Sequence, residues 1–117
     1  MSLVLVVDDN AAFRGLAARV IQGWGHDVIE ASGAADALCC MRRAHPDVAL
    51  VDIGLPDWNG FELTVRLLEV YSEMRVVLLS TDADVGNCFG AERAGAVAFF
   101  PKDELLSPAL RTLVDGH

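Results

Sequence analysis

The sequence predicts an α/β protein in which a parallel sheet is covered by helices on both faces. Short β-branched apolar runs alternate with longer stretches of helical period, and five such rounds follow one another without a repeat or a low-complexity linker. Right-handed crossovers between successive strands make the sheet parallel and put helices on either side of it. At 117 residues the chain fits one domain, taken as residues 1–117, long enough to bury its own core without disulfides or a structural metal.

Leu3 to Val7 is a continuous apolar run, as expected of a parallel strand buried on both faces. Phe13, Leu16, Ala17, Val20, Ile21 and Trp24 recur at three- and four-residue steps and are expected to form the buried stripe of a first helix, which Gly25 stops. Val28 to Ala31 reads as a short second strand, and Ala34, Ala37, Leu38 and Met41 as the stripe of a second helix ending before Pro46. Val48 to Val51 is the third strand. A loop with Gly54, Pro56, Asn59 and Gly60 then leads into a helix over about 61–71. Val76 to Leu79 is the fourth strand, residues 85–94 a weaker helix interrupted by Gly86 and Gly90, and Val97 to Phe100 the fifth strand. Ser107 before Pro108 supplies an N-cap and a first-turn proline for a last helix carrying Leu110, Leu113 and Val114.

Composition removes several classes of function. A hydrophobic fraction of 53% with 22% charged residues excludes a disordered tail, and no run approaches the roughly 18 apolar residues of a membrane span. With a net charge of −8 and nine scattered cations, direct nucleic-acid binding by this domain is not expected. Cys39, Cys40 and Cys88 lack the paired spacing of a zinc site and read as reduced thiols of a cytoplasmic protein. The apolar start is too short for a signal sequence.

In open parallel sheets the chemistry sits at the carboxyl ends of the strands. Asp8 and Asp9 end the first strand, Asp52 the third and Ser80 the fourth, and Lys102 follows the fifth, so distant residues are expected to converge on one rim. Singly, each has a plainer role, since a strand-end Asp is commonly a turn former and a lone Lys a solvated charge. Their joint placement argues otherwise. Two unit charges about 4 Å apart cost roughly 4 kcal/mol at an effective dielectric near 20, so clustered carboxylates must protonate or share a cation. An all-oxygen cluster suits Mg²⁺, which takes one or two carboxylates, waters and a phosphate oxygen. One carboxylate is then free to act as a nucleophile toward phosphorus. Ser80, Thr81 and Lys102, the chain's only lysine, are the donors a transferred phosphoryl group needs.

The pattern Val6-Val7-Asp8-Asp9, Asp52-Ile53-Gly54-Leu55-Pro56 closing with Gly60, Leu79-Ser80 and Phe100-Pro101-Lys102 resembles the receiver domain of two-component response regulators over nearly the whole chain. The resemblance implies a flavodoxin-like (βα)5 doubly wound fold with strand order 2-1-3-4-5, and a signalling switch in which Asp52 takes a phosphoryl group from a histidine kinase or phosphotransfer protein. It also implies that Asp9, Asp52 and the Gly54 carbonyl bind Mg²⁺, with Asp8 helping through water, and that Ser80 and Lys102 contact the phosphoryl group. The same resemblance implies that Phe99 fills the aromatic switch position and that the surface of helix four, strand five and helix five changes for a downstream protein, an output domain or a second copy. Such a domain is no enzyme beyond its own phosphorylation and dephosphorylation.

Several positions depart from the family pattern. Ser80 stands where Thr is commoner. Thr81 stands where Ala or Gly is usual, which narrows access to the phosphate. Asp103 follows Lys102 in place of the frequent Pro, so a cis Lys-Pro bond is ruled out and the Pro101 bond is expected in the default trans form. Phe99 in place of Tyr is expected to favour burial over exposure, since it carries no hydroxyl to keep at the surface.

Two other readings stay open at this level. A haloacid-dehalogenase-like phosphatase also uses a strand-end Asp and Mg²⁺, but wants an acid two residues after its nucleophile, where Asp8 has Asn10. A phosphorylation-independent interaction module would keep the fold only as a scaffold, against which the complete acid set argues.

Overall fold

The computed structural model describes residues 2–81 and 85–116, and for 85–89 the backbone alone. Its elements in chain order are β1 (Leu3–Val7), α1 (Ala11–Gly23), β2 (Asp27–Ala31), α2 (Ala34–Cys40), β3 (Val48–Asp52), α3 (Gly60–Val70), β4 (Arg75–Ser80), α4 (Val85–Ala94), β5 (Ala98–Pro101) and α5 (Pro108–Asp115), with a 3₁₀ turn at Lys102–Glu104. The strands form one parallel sheet in the order β2-β1-β3-β4-β5. Chain direction across the sheet reverses at β1, so the crevice between the carboxyl ends of β1 and β3 is the topological switch point.

Alternation along the strands splits the apolar residues into two cores. Leu5, Val7, Ala49, Val51, Val76 and Leu78 face α2, α3 and α4, meeting Ala34, Ala37, Leu63, Leu67 and Ala91. Val4, Val6, Val48, Leu50, Val77 and Leu79 face α1 and α5, meeting Ala17, Ile21, Leu110 and Val114. Because both faces are covered, the central strands need continuous apolar runs, which is the pattern the sequence shows.

Helix ends follow from local chemistry. Asn10 caps α1 by accepting from the Phe13 N–H, Asn59 caps α3 from Glu62, and Ser107 caps α5 from Ala109 with Pro108 in the first turn. Gly25, at φ +97°, ends α1 in the left-handed region that favours glycine. No peptide bond among the described residues is cis, so Phe100–Pro101 takes the default trans form.

The expected stripe of α1 needs one correction. Leu16 is 46% exposed, and Ala18 is buried in its place beside Ala17 and Ile21. At about 100° per residue the packed face is centred on Ile21, between the directions of Ala17 and Ala18, which turns Leu16 away from the sheet. The fifth strand is also shifted by one residue: Val97 is half exposed ahead of it, while Pro101, which has no N–H to offer the ladder, closes it. Cys39 is exposed and Cys40 half-buried, both free, and the Cys88 side chain lies outside the described residues. No described helix is long and apolar enough to cross a membrane.

Candidate functional site

Strand register brings the polar residues to one level. Val7 pairs with Val51, Val51 with Leu78 and Leu78 with Phe99. The next residues outward are therefore Asp8, Asp52, Leu79 and Phe100, followed by Ser80 opposite Pro101 and then Lys102. Asp8, Asp9 and Asp52 each offer a carboxylate oxygen, and these atoms lie within 4.8 Å of one another. Asp8 and Asp52 are buried, while Asp9 is exposed.

Lys102 closes the cluster. Its Nζ lies 2.7 Å from Asp8 Oδ2 and 3.5 Å from Asp52 Oδ2, so the ammonium leans toward Asp8. Asp8 Oδ1 accepts from the Asn10 N–H at 2.9 Å, and Asp52 Oδ1 from the Gly54 N–H at 3.2 Å. Burial pushes the Asp52 carboxyl above the usual carboxylate range, and the Asp8 charge adds to it; the Gly54 N–H and Lys102 oppose the shift. Asp8 Oδ2, although paired in charge with Lys102, is buried without an aligned hydrogen-bond donor. An under-supplied carboxylate oxygen in an all-oxygen cluster is what a hard divalent cation fits, so these residues suit Mg²⁺.

The response regulator receiver domain model matches residues 4–113. The chain belongs to that family. A Pseudomonas aeruginosa protein named as a transcriptional regulator is 34% identical over 94% of this chain, which spans 54% of that relative, about half its length. The receiver domain protein (CheY-like) from Methanospirillum hungatei JF-1 superposes with a TM-score of 0.87 at 25% identity, over 99% of this chain and 95% of that one. The signal receiver domain of the response regulator NarL from Mycobacterium tuberculosis gives 0.85 at 29% identity, over 99% and 98%. A receiver domain is a phosphorylation-dependent signalling switch of two-component systems, and receivers work with histidine kinases or phosphotransfer proteins.

In this receiver domain Ser80 is buried at the end of β4, and Thr81 is exposed just beyond it. Phe99 lies away from the rim. It is half-buried against the α2–α4 core and lines a cavity of about 370 Å³ with Ala91, Glu92, Ala96, Val97 and Ala98.

Four neighbours of the site were not singled out from sequence for these contacts. The Phe13 ring lies under Lys102, with Nζ 4.7 Å from its centroid. Arg14 donates from Nη1 to the Asp8 carbonyl at 2.8 Å and from Nε to Glu30 at 3.1 Å, tying the acid-bearing turn to β2. Gly60 packs so closely on the end of β3 that a Cβ would lie 2.7 Å from the Asp52 carbonyl oxygen. Asp57 accepts from the Ala34 and Ala35 N–H groups at 3.0 Å each, which hold its carboxyl below the usual range. Phe13 reads in sequence only as part of the buried stripe of the first helix, and Arg14 carries no signal there; only the fold brings the turn after β5 to the one and β2 to the other.

Proposed function

We propose that Asp52 is the phosphoryl acceptor of this receiver domain. A carboxylate oxygen of Asp52 attacks phosphorus of a phosphohistidine or a small acyl phosphate, forming an acyl phosphate, and the bond to the donor breaks with its electron pair leaving on the donor. The observation that carries this reading is the convergence of three carboxylates within 4.8 Å of one another, two of them, Asp8 and Asp52, in contact with Lys102. Asp9, Asp52 and the Gly54 carbonyl are assigned to Mg²⁺, with Asp8 acting through water. When bound, the ion neutralises part of the charge gathered between the carboxylates and the phosphoryl oxygens. Lys102 leaves Asp8 to meet the phosphoryl charge, and the Ser80 hydroxyl donates to a phosphoryl oxygen. Thr81 borders the approach.

On this reading the added charge draws Ser80 inward, and Phe99 moves inward after it, changing the surface of α4, β5 and α5. A downstream protein, an output domain or a second copy reads that surface. The chain acts in the cytoplasm and catalyses nothing beyond its own phosphorylation and dephosphorylation. Intact-mass measurement after acetyl phosphate and Mg²⁺ tests the assignment. One stable phosphoryl group is expected on the wild type and none on Asp52→Asn; labelling that persists in the variant refutes it. Silence of the wild type would favour the phosphorylation-independent module, and multiple turnover a phosphatase.

A further inference from the structure

We propose that Phe13 is a positioning residue for Lys102, its ring face holding the ammonium at the acid rim while its carboxylate partners change. The proposal rests on the reading of Lys102 as the cation that meets the phosphoryl group. Lys102 Nζ lies 4.7 Å from the Phe13 ring centroid, besides contacts of 2.7 Å to Asp8 Oδ2 and 3.5 Å to Asp52 Oδ2. The lysine side chain is only 13% exposed, so the ammonium is largely cut off from water and the attraction of a ring face is stronger than at an open surface.

The two kinds of partner differ in what happens when the site is used. Asp8 and Asp52 are the groups that a metal ion and a phosphoryl group would engage, so the attraction they offer the lysine changes at each step. The Phe13 face is uncharged and takes no part in those exchanges. It draws the ammonium without competing for the cation or the phosphate. Without it, a long, flexible lysine stem would be free to swing out of the rim once those carboxylates are engaged.

Phe13 is well placed for this. It sits in the first turn of α1, where its N–H donates to Asn10 Oδ1 at 3.1 Å, and its ring is half-buried against the core shared by α1 and α5. The turn that carries the acids and the ring that faces the lysine are thus joined through one capped first turn.

The chain's single lysine makes the contact directly visible. With ¹³C-lysine-labelled protein, the Lys102 Hε signals are expected upfield of an exposed lysine through the ring current of Phe13. Phe13→Leu, which keeps the bulk and removes the π face, should lose that shift, and Phe13→Tyr should keep it. At saturating Mg²⁺, phosphorylation by acetyl phosphate should slow by about three- to thirty-fold in Phe13→Leu and stay within about twofold of wild type in Phe13→Tyr. An unshifted lysine in the wild type, or equal slowing in both variants, would overturn the proposal, the second because it points to packing alone. Lack of labelling in the wild type would instead overturn the role of Asp52 as acceptor, while the lysine shift still decides the Phe13 contact.

Discussion

Asp52 closes β3 and Asp57 lies in the loop that follows it, yet their surroundings push their carboxyl groups in opposite directions. Asp57 is matched within the chain: the N–H groups of Ala34 and Ala35 at the start of α2, and of Trp58, meet its oxygens at 3.0 to 3.1 Å. Asp52 is buried beside Asp8, with one backbone N–H and a lysine that leans away from it. A carboxylate supplied with donors by its own chain is structural. One held in excess of its donors has capacity left for a ligand, at a cost to the resting fold.

The sharpest test of that contrast removes the cation. Lys102→Met would leave Asp8 and Asp52 buried without their counter-charge, and is expected to lower stability by about 3 kcal/mol without metal, with Mg²⁺ restoring part of it. Urea unfolding with and without Mg²⁺ measures both; no loss would mean that the rim is not strained by charge. Gly60→Ala, at the start of α3, drives a methyl group into the Asp52 and Ile53 backbone and should cost roughly 2 kcal/mol, read as a lower thermal midpoint.

Smaller and opposite effects are expected at the acids themselves. Asp52→Asn should stabilise the protein at neutral pH and Asp57→Asn should destabilise it. The pH dependence separates them. A raised carboxyl pKa means that the folded state binds the proton more tightly, so the cost of Asp52 is fully present above its folded pKa and fades as pH falls toward the unfolded value near about 4. The lowered Asp57 carboxyl contributes stability that is full above about pH 4 and is lost as pH falls through its folded value. Urea midpoints from pH 7 down to pH 3 should therefore converge with wild type for both variants, from above for Asp52→Asn and from below for Asp57→Asn. The same sign for both would break the comparison. The smallest change is expected for Asp9→Asn, within about 0.5 kcal/mol in stability because Asp9 is exposed, yet with weaker Mg²⁺ binding followed through Trp58 fluorescence.

Much of the fold was legible because its signals are local. Apolar runs marked the strands to within a residue or so, Gly25 and Ser107-Pro108 marked two helix ends, and the strand-end rule pointed to Asp8, Asp52, Ser80 and Lys102. The failures came where side-chain direction mattered. Leu16 fits a three- and four-residue spacing as well as its neighbours do, but the width of the packed face is set by how α1 lies on the sheet.

By itself, the sequence determined the alternation of strands and helices and which residue types could meet at one rim, since periodicity and residue chemistry are written in order along the chain. Only the tertiary structure decided that Lys102 leans toward Asp8 and rests on Phe13, that Arg14 braces the acid turn, and that Asp57 is supplied with donors by α2 while Asp52 is not. Those contacts join residues far apart in the chain. Their strength depends on burial and on distances of a few ångströms, which the register of the sheet sets and no local pattern encodes.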